Sequence, residues 1–284
     1  LGWTKIDPDL TEWTGTFRDD RDINPLGGEP ENAITGTSFS ANAYRDDALE
    51  VPAGRYQRLR VWRHTIVRDA DPTETYRSQN GILGHEWDSD FDNGWRPAGL
   101  IRMSESRYDN FQHIYDEGSV FASGGGIHHL CLYKAKSGAY VFGAGTVQWA
   151  WGLDEHHESF APHIKNPYAT RVENSKDGHE EVLQQVTVNL FADMGVQPTS
   201  LKDNLPWLTQ AEKSTDETPP ESVILLVRPN VPSDCNADDL KYCQATFVVT
   251  ATAADVGGVV AGMEVSFNGG ERWYERCSRN IRFF

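Results

Sequence analysis

The stretch "IHHLCLYKAKSGAYVFGAGTVQWAWGL" (127–153) reads as two short strands joined at Lys136-Ser137-Gly138, with a glycine-punctuated third strand behind them. A hairpin of this kind makes its neighbours in sequence neighbours in an antiparallel sheet. Working outward, "YQRLRVWRHTIV" (56–67) alternates well enough for another strand, with Arg58, Arg60 and Arg63 on its polar side. Toward the other end, "EEVLQQVTVNLFADMG" (180–195) places Val182, Val186, Leu190 and Met194 at helical spacing, and Gly195 then Pro198 stop the helix. "AEKSTDETPPES" (211–222) is polar and carries Pro219-Pro220, the mark of a domain joint. Beyond it, "SVILLVRP", "ATFVVTATAAD" and "VVAGMEVSFNGGERWYE" give three or four strands and an Asn268-Gly269-Gly270 hairpin turn. The pattern is α+β and β-rich: a mixed domain over 1–212 and a small antiparallel, Ig-like β unit over 219–284. That unit is shorter than the roughly 100 residues an immunoglobulin sandwich needs, so its last strands are expected elsewhere or from a neighbour.

Composition limits the function classes. Of 284 residues, 38% are hydrophobic, and nine Trp, ten Tyr and twelve Phe make the chain too aromatic to be disordered. A net charge of −16 argues against nucleic acid and anionic membranes as partners. No apolar run reaches the roughly 18 residues of a membrane span. The chain starts at Leu1 with no signal peptide and reads as processed or partial. Cys235 and Cys243 flank the polar loop "CNADDLKYC" and are expected to close a disulfide in an oxidising compartment; Cys131, in "HLCLY", reads as a buried thiol, and Cys277 stays open between pairing and a free thiol. The balance leans toward a secreted, extracellular protein.

The chemistry gathers in "GHEWDSDFDNGWRPAGL" (84–100), where Glu86, Asp88, Asp90 and Asp92 alternate before a turn at Asn93-Gly94. Like charges so close need a neutraliser. Two remain open: Arg96 or Arg102, or a calcium ion on the hard oxygens of Asp88, Asp90 and Asp92, although the spacing is not that of an EF-hand. Glu86, between His85 and Trp87, is the candidate proton-transfer group, since a carboxylate that loses hydration can shuttle protons near neutral pH. The competing role is an ion pair that pins the loop. His128-His129 and "DEHHE" (154–158) suggest a metal, but adjacent strand histidines point apart and zinc wants three or four ligands. Surface or hydrogen-bonded histidines are the better reading. Trp149 and Trp151 alternate and should point one way, into the core. "SGGGIHH" (123–129) lacks the strand–helix context of a phosphate loop, and no nucleophile elbow, Walker loop or CxxC pair occurs.

Five segments in order, "WTGTFRD" (13–19), "ENAITG" (31–36), "HEWDSDFDNGWRPAGLIRMS" (85–104), "HHLCLYKAKSGAYVFGAGTVQWAWGL" (128–153) and "QQVTVNLFADMGVQP" (184–198), resemble the C-terminal region of proteins similar to the N,N-dimethylformamidase large (beta) subunit. "ADVGGVVAGMEVSFNGGERWYE" resembles the Ig-like modules that follow this region in large secreted bacterial proteins. The resemblance implies an α/β, glutamine-amidotransferase-like domain with β-rich additions, and a linear amide hydrolase working at a mononuclear iron held by two tyrosines and a glutamate. Segments like "GHDEYW" and "GGNE", which would carry those ligands, do not stand before Trp13. Iron ligands are therefore expected from a missing upstream segment or another protein chain, and this chain is expected not to be catalytic on its own. By the same resemblance Glu86, with His85 beside it, corresponds to a non-ligand glutamate that assists proton transfer. The alternative is a non-catalytic structural or adhesive module, working in an oligomer or extracellular assembly.

Overall fold

The computed structural model describes residues 17–19, 22, 24, 27–43, 45, 47–115, 118, 120–154, 179–230, 246–266, 268–270, 273–275 and 281–282. The chain divides into two compact units, Leu1–Lys213 and Ser214–Phe284. Strands of the first are β1 (Ser38–Asn42), β2 (Glu50–Pro52), β3 (Thr75–Arg77), β4 (Glu86–Ser89), β5 (Ile101–Arg102), β6 (Ser106–Tyr115), β7 (Val120–His128), β8 (Cys131–Lys134) and β9 (Tyr140–Gly143). They form a four-stranded sheet in the order β4-β1-β6-β7, a three-stranded sheet β5-β8-β9 and the pair β2-β3. Every pairing among the described residues is antiparallel. The parallel sheet of an α/β domain, implied by the resemblance, is thus not found there, whereas the β-rich reading is.

The hairpin at 127–153 is β8 and β9, closed where Gly138 donates to the Ala135 carbonyl at 2.8 Å with φ 90°. Its expected third strand is instead a 3-10 turn, Trp149–Gly152. Trp149 meets Phe142 edge-on at 5.1 Å, and Trp151 no longer shares its direction, because residues two apart on a 3-10 helix face apart. The strand expected over 56–67 is also corrected. Beyond α1 (Asn32–Thr35), the segment folds as short turns: α2 (Ala53–Tyr56), a 3-10 turn at Arg60–Trp62 and α3 (Ile66–Asp69). Tyr56, Leu59, Val61, Trp62 and Val67 are all buried, a spacing no single strand face can present. Arg63 fixes the corner through Asp193, with Nη1 2.9 Å from Oδ2 and Nη2 3.1 Å from Oδ1.

Helix α4 (Glu181–Met194) ends as expected at Gly195, in the left-handed region at φ 76°. Val182, Val186 and Leu190 join the core with Trp62, Trp87 and Leu49. The helix also buries amides: Asn189 Nδ2 donates to the carbonyls of Val61 at 2.8 Å and Arg63 at 2.7 Å, so helix and corner are tied by hydrogen bonds as well as packing. Cys131 is buried, whereas Cys235, Cys243, Cys277, His156 and Glu158 lie outside the described residues.

In the second unit, β10 (Glu221–Asn230), β11 (Thr246–Ala254), β12 (Glu264–Val265), β13 (Tyr274–Glu275) and β14 (Ile281–Arg282) form a sheet β10-β11-β14 and a pair β12-β13. The pair is joined across Asn268-Gly269-Gly270, where both glycines have positive φ.

Candidate functional site

Trp87 fixes the segment that carries the carboxylates. Its side chain is wholly buried, edge-on to Phe111 at 4.9 Å and to His128 at 6.2 Å. Room for these rings comes from β7: a Cβ at Gly126 would stand 3.1 Å from Phe111 Cζ and 3.3 Å from Trp87 Cη2. Gly126 of "SGGGIHH" therefore serves ring packing, whereas Gly125 faces the Asp109 carboxylate. Opposite them, β6 bulges at Asn110 (φ 61°), which shifts the register between Asp109 and Phe111.

Because side chains alternate along a strand, Glu86 and Asp88 face away from Trp87. Glu86 keeps 45% of its side-chain surface, with His85 Nε2 3.9 Å from its Oε1. Desolvation falls mainly on Asp88. Burial pushes that carboxyl above its usual range, opposed by the Thr37 hydroxyl, which donates to Oδ2 at 2.8 Å, and by the field of Arg18.

Asp90 has another environment. Its side chain is fully buried, as is that of Arg96, whose Nε lies 3.0 Å from both carboxylate oxygens, while Arg102 Nε reaches Oδ2 at 2.8 Å. Arg96 Nη2 also donates to the Leu100 carbonyl at 2.7 Å, so the guanidinium staples the turn it sits in. The Asp90 backbone N–H points to His129 Nδ1 at 3.4 Å. Burial, then the fields of Arg102 and His128, push His129 down to about 2 and keep it neutral. His128 is likewise pushed down to about 4 by burial, and its Nε2–H donates to the Ala144 carbonyl at 3.0 Å. These are hydrogen-bonded histidines, buried instead of on the surface. Asp92 is exposed, and the following Asn93 exchanges two amide hydrogen bonds with buried Asn32, of 2.9 and 3.0 Å.

The acidic stretch is thus shared out: Glu86 to solvent, Asp88 to a threonine, Asp90 to two arginines and Asp92 to water. Among the described residues no group of three or more His, Cys, Asp or Glu is placed to hold a metal ion. Two tyrosines touch glutamates, Tyr76 Oη donating to Glu180 at 2.8 Å and Tyr108 Oη reaching Glu50 at 3.4 Å. Burial and the neighbouring carboxylate push Tyr76 strongly up and Tyr108 up to about 12, so both keep their protons. Each phenol contacts a different glutamate, Tyr76 with Glu180 and Tyr108 with Glu50, which is not the pairing of two tyrosines with one glutamate that the resemblance implies.

Sequence reasoning missed the Asn32–Asn93 exchange and the Thr37 contact. Each joins residues 50 or more positions apart, and no local spacing signals it. Residues 4–162 match the family model described as N,N-dimethylformamidase beta subunit-like, C-terminal. No curated protein and no solved structure matches the chain.

Proposed function

The chain belongs to the N,N-dimethylformamidase beta subunit-like, C-terminal family, and on that premise we propose that it is the iron-free portion of an amide-hydrolysing assembly. Glu86 is its proton-transferring carboxylate. The family match carries this reading, and the placement of Glu86 supports it. The carboxylate is half open to solvent, while its strand is anchored one residue away by fully buried Trp87. A carboxylate held this way can take a proton from an attacking water and return it to a leaving amine. His85 at 3.9 Å is its neighbour for that exchange. The iron ligands come from outside the described residues, on another segment or another chain. The Asp90–Arg96–Arg102 cluster keeps the turn after β4 in place, and the carboxylates of 88–92 need no calcium. The second unit serves as an Ig-like extracellular module, with Cys235 and Cys243 bridged.

The test uses the natural assembly. Metal analysis should find about one iron per chain, and Glu86→Gln should lower amide hydrolysis by about 10²–10⁴-fold, the size of a lost acid–base group, with iron content unchanged. A Glu86→Gln assembly that holds iron and hydrolyses amides as well as the parent overturns the role of Glu86. Absence of both iron and activity leaves the structural module as the function.

A further inference from the structure

We infer that β10 is the self-association strand of this chain, pairing antiparallel with β10 of a second copy. β10 lies at the edge of the β10-β11-β14 sheet, and among the described residues it pairs only with β11. Its central run, Val223, Ile224, Leu225, Leu226 and Val227, is apolar, yet each of the five is between 49% and 63% exposed. An edge that presents its outer backbone groups beside such a run is a template for another strand. Natural edges are blunted by lysine, proline, inward charges or bulges. β10 has no lysine, and its one proline, Pro229, stands at its end. Its bulge at Leu225, where the pairing steps from Ile224–Ala251 to Leu226–Thr250, adds an apolar residue to the run and increases the local twist.

The order of residues in β10 points to a second copy as the occupant. Two copies related by a two-fold axis through the sheet pair residues whose numbers add to a fixed even sum, because paired side chains share a face. With Leu225 on the axis, Leu225 meets itself, Ile224 meets Leu226 and Val223 meets Val227, so all five apolar residues find apolar partners. Ser222 then stands opposite Arg228 and Glu221 opposite Pro229, and no like charges oppose each other. Moving the axis by one residue sets Ser222 against Leu226 or Ile224 against Arg228. The strand is a near-palindrome about Leu225. Its apolar side chains offer up to about 450 Å² per copy, and with Ser222 and Arg228 the pair approaches the roughly 1,000 Å² that a specific interface needs. The association is accordingly weak, in the micromolar range. The contact closes on itself and stops at a dimer. It lies in the second unit and needs no reaction, so it stands apart from the amide-hydrolase reading.

The experiment is sedimentation of the full chain from about 1 to 100 μM, with oxidative cross-linking alongside. The mass is expected to rise from 31.8 kDa toward twice that value. Each copy carries net charge −16, so added salt should strengthen an apolar contact between like-charged copies. Leu225→Lys sets two lysines on the axis and should weaken dimerisation by about tenfold or more, with the melting temperature of the dilute monomer unchanged. Leu225→Cys should give an oxidised dimer absent from the parent, since the two Cα atoms would stand about 4.5–5.5 Å apart. Val223→Cys should not, because its two copies are offset by about 13 Å along the strands. A chain that stays monomeric throughout overturns the proposal and leaves the edge to a different strand. So does a dimer that Leu225→Lys leaves intact, or oxidation that joins Val223→Cys as readily as Leu225→Cys.

Discussion

Replacing Asp90 by asparagine is the sharpest test of how the acidic stretch is neutralised. The carboxylate and the Arg96 side chain are both out of solvent, and Arg102 is the second cation on the same oxygens. Asp90→Asn removes the only negative charge of this triad and leaves two guanidiniums facing a neutral amide. Breaking one partner of a buried ion pair costs about 3–5 kcal/mol. For a domain of this size each kcal/mol lowers the melting temperature by roughly 2–4 °C, so the expected fall is about 6–20 °C. An exposed, arginine-paired turn would have lost almost nothing, which makes burial the decisive quantity. The assay is calorimetric melting of parent, Asp90→Asn and Asp92→Asn, each with and without a calcium chelator. Asp92 is exposed, and its variant should stay within about 0.5 kcal/mol of the parent. The parent should ignore chelator. A loss below about 1 kcal/mol in Asp90→Asn, or a parent that melts earlier in chelator and recovers with added calcium, refutes the arginine account and restores the calcium loop.

Three further outcomes follow from the same geometry. His128 and His129 are held neutral, at about 4 and about 2, against an ordinary value near 6.5. The unfolded chain therefore takes up protons first, and each histidine withdraws about 1.4 kcal/mol per pH unit below 6.5; urea unfolding between pH 7 and 5 should show that steepening, and His128→Gln should lessen it. Asp88 has the opposite sign: its raised carboxyl favours the fold below the ordinary value of 3.8 and loses that contribution as pH rises through the folded value. Asp88→Asn should thus raise the melting temperature at pH 7 and change it little at pH 3. At Gly126 an added methyl would press on Phe111 and Trp87, so Gly126→Ala should cost about 1–3 kcal/mol of overpacking, visible as an earlier transition and altered tryptophan fluorescence.

Much of the fold could be read from the sequence where local rules govern. The 127–153 hairpin declares itself through Lys136-Ser137-Gly138, and α4 through four apolar positions and Gly195. The 56–67 segment could not be read in this way. Its alternation of apolar and basic residues imitates a strand, but the arginines are committed to other contacts: Arg60 and Arg63 both bind Asp193, 133 and 130 positions away, and Arg68 donates to the carbonyl of Arg58 at 2.9 Å. Only tertiary contacts show that. The site divides along the same line. The need to neutralise the run at 86–92 is legible in its charges. That Asp90 takes both arginines is not, since it depends on which side of the chain after β4 faces the interior. That β10 lies at the edge of its sheet has no signal in the sequence, because strand order exists only once the strands have paired.

The paired amides of Asn32 and Asn93 also set a chemical clock. Asn93 is followed by Gly94, whose small size and φ of 82° offer little steric resistance to attack of the Gly94 nitrogen on the Asn93 side-chain carbonyl carbon, with loss of ammonia. Hydrolysis of the resulting ring leaves aspartate or isoaspartate, so the Nδ2–H that Asn32 Oδ1 accepts at 3.0 Å is replaced by a charged oxygen. Asn32 is fully buried, out of reach of bulk solvent. While the two amides hold each other, the Asn93 side chain is restrained from swinging onto the Gly94 nitrogen, and the native turn ages slowly. Once the turn opens, the ageing is irreversible, and storage time is written into the protein as a gain of one mass unit at Asn93 and a looser start to α1.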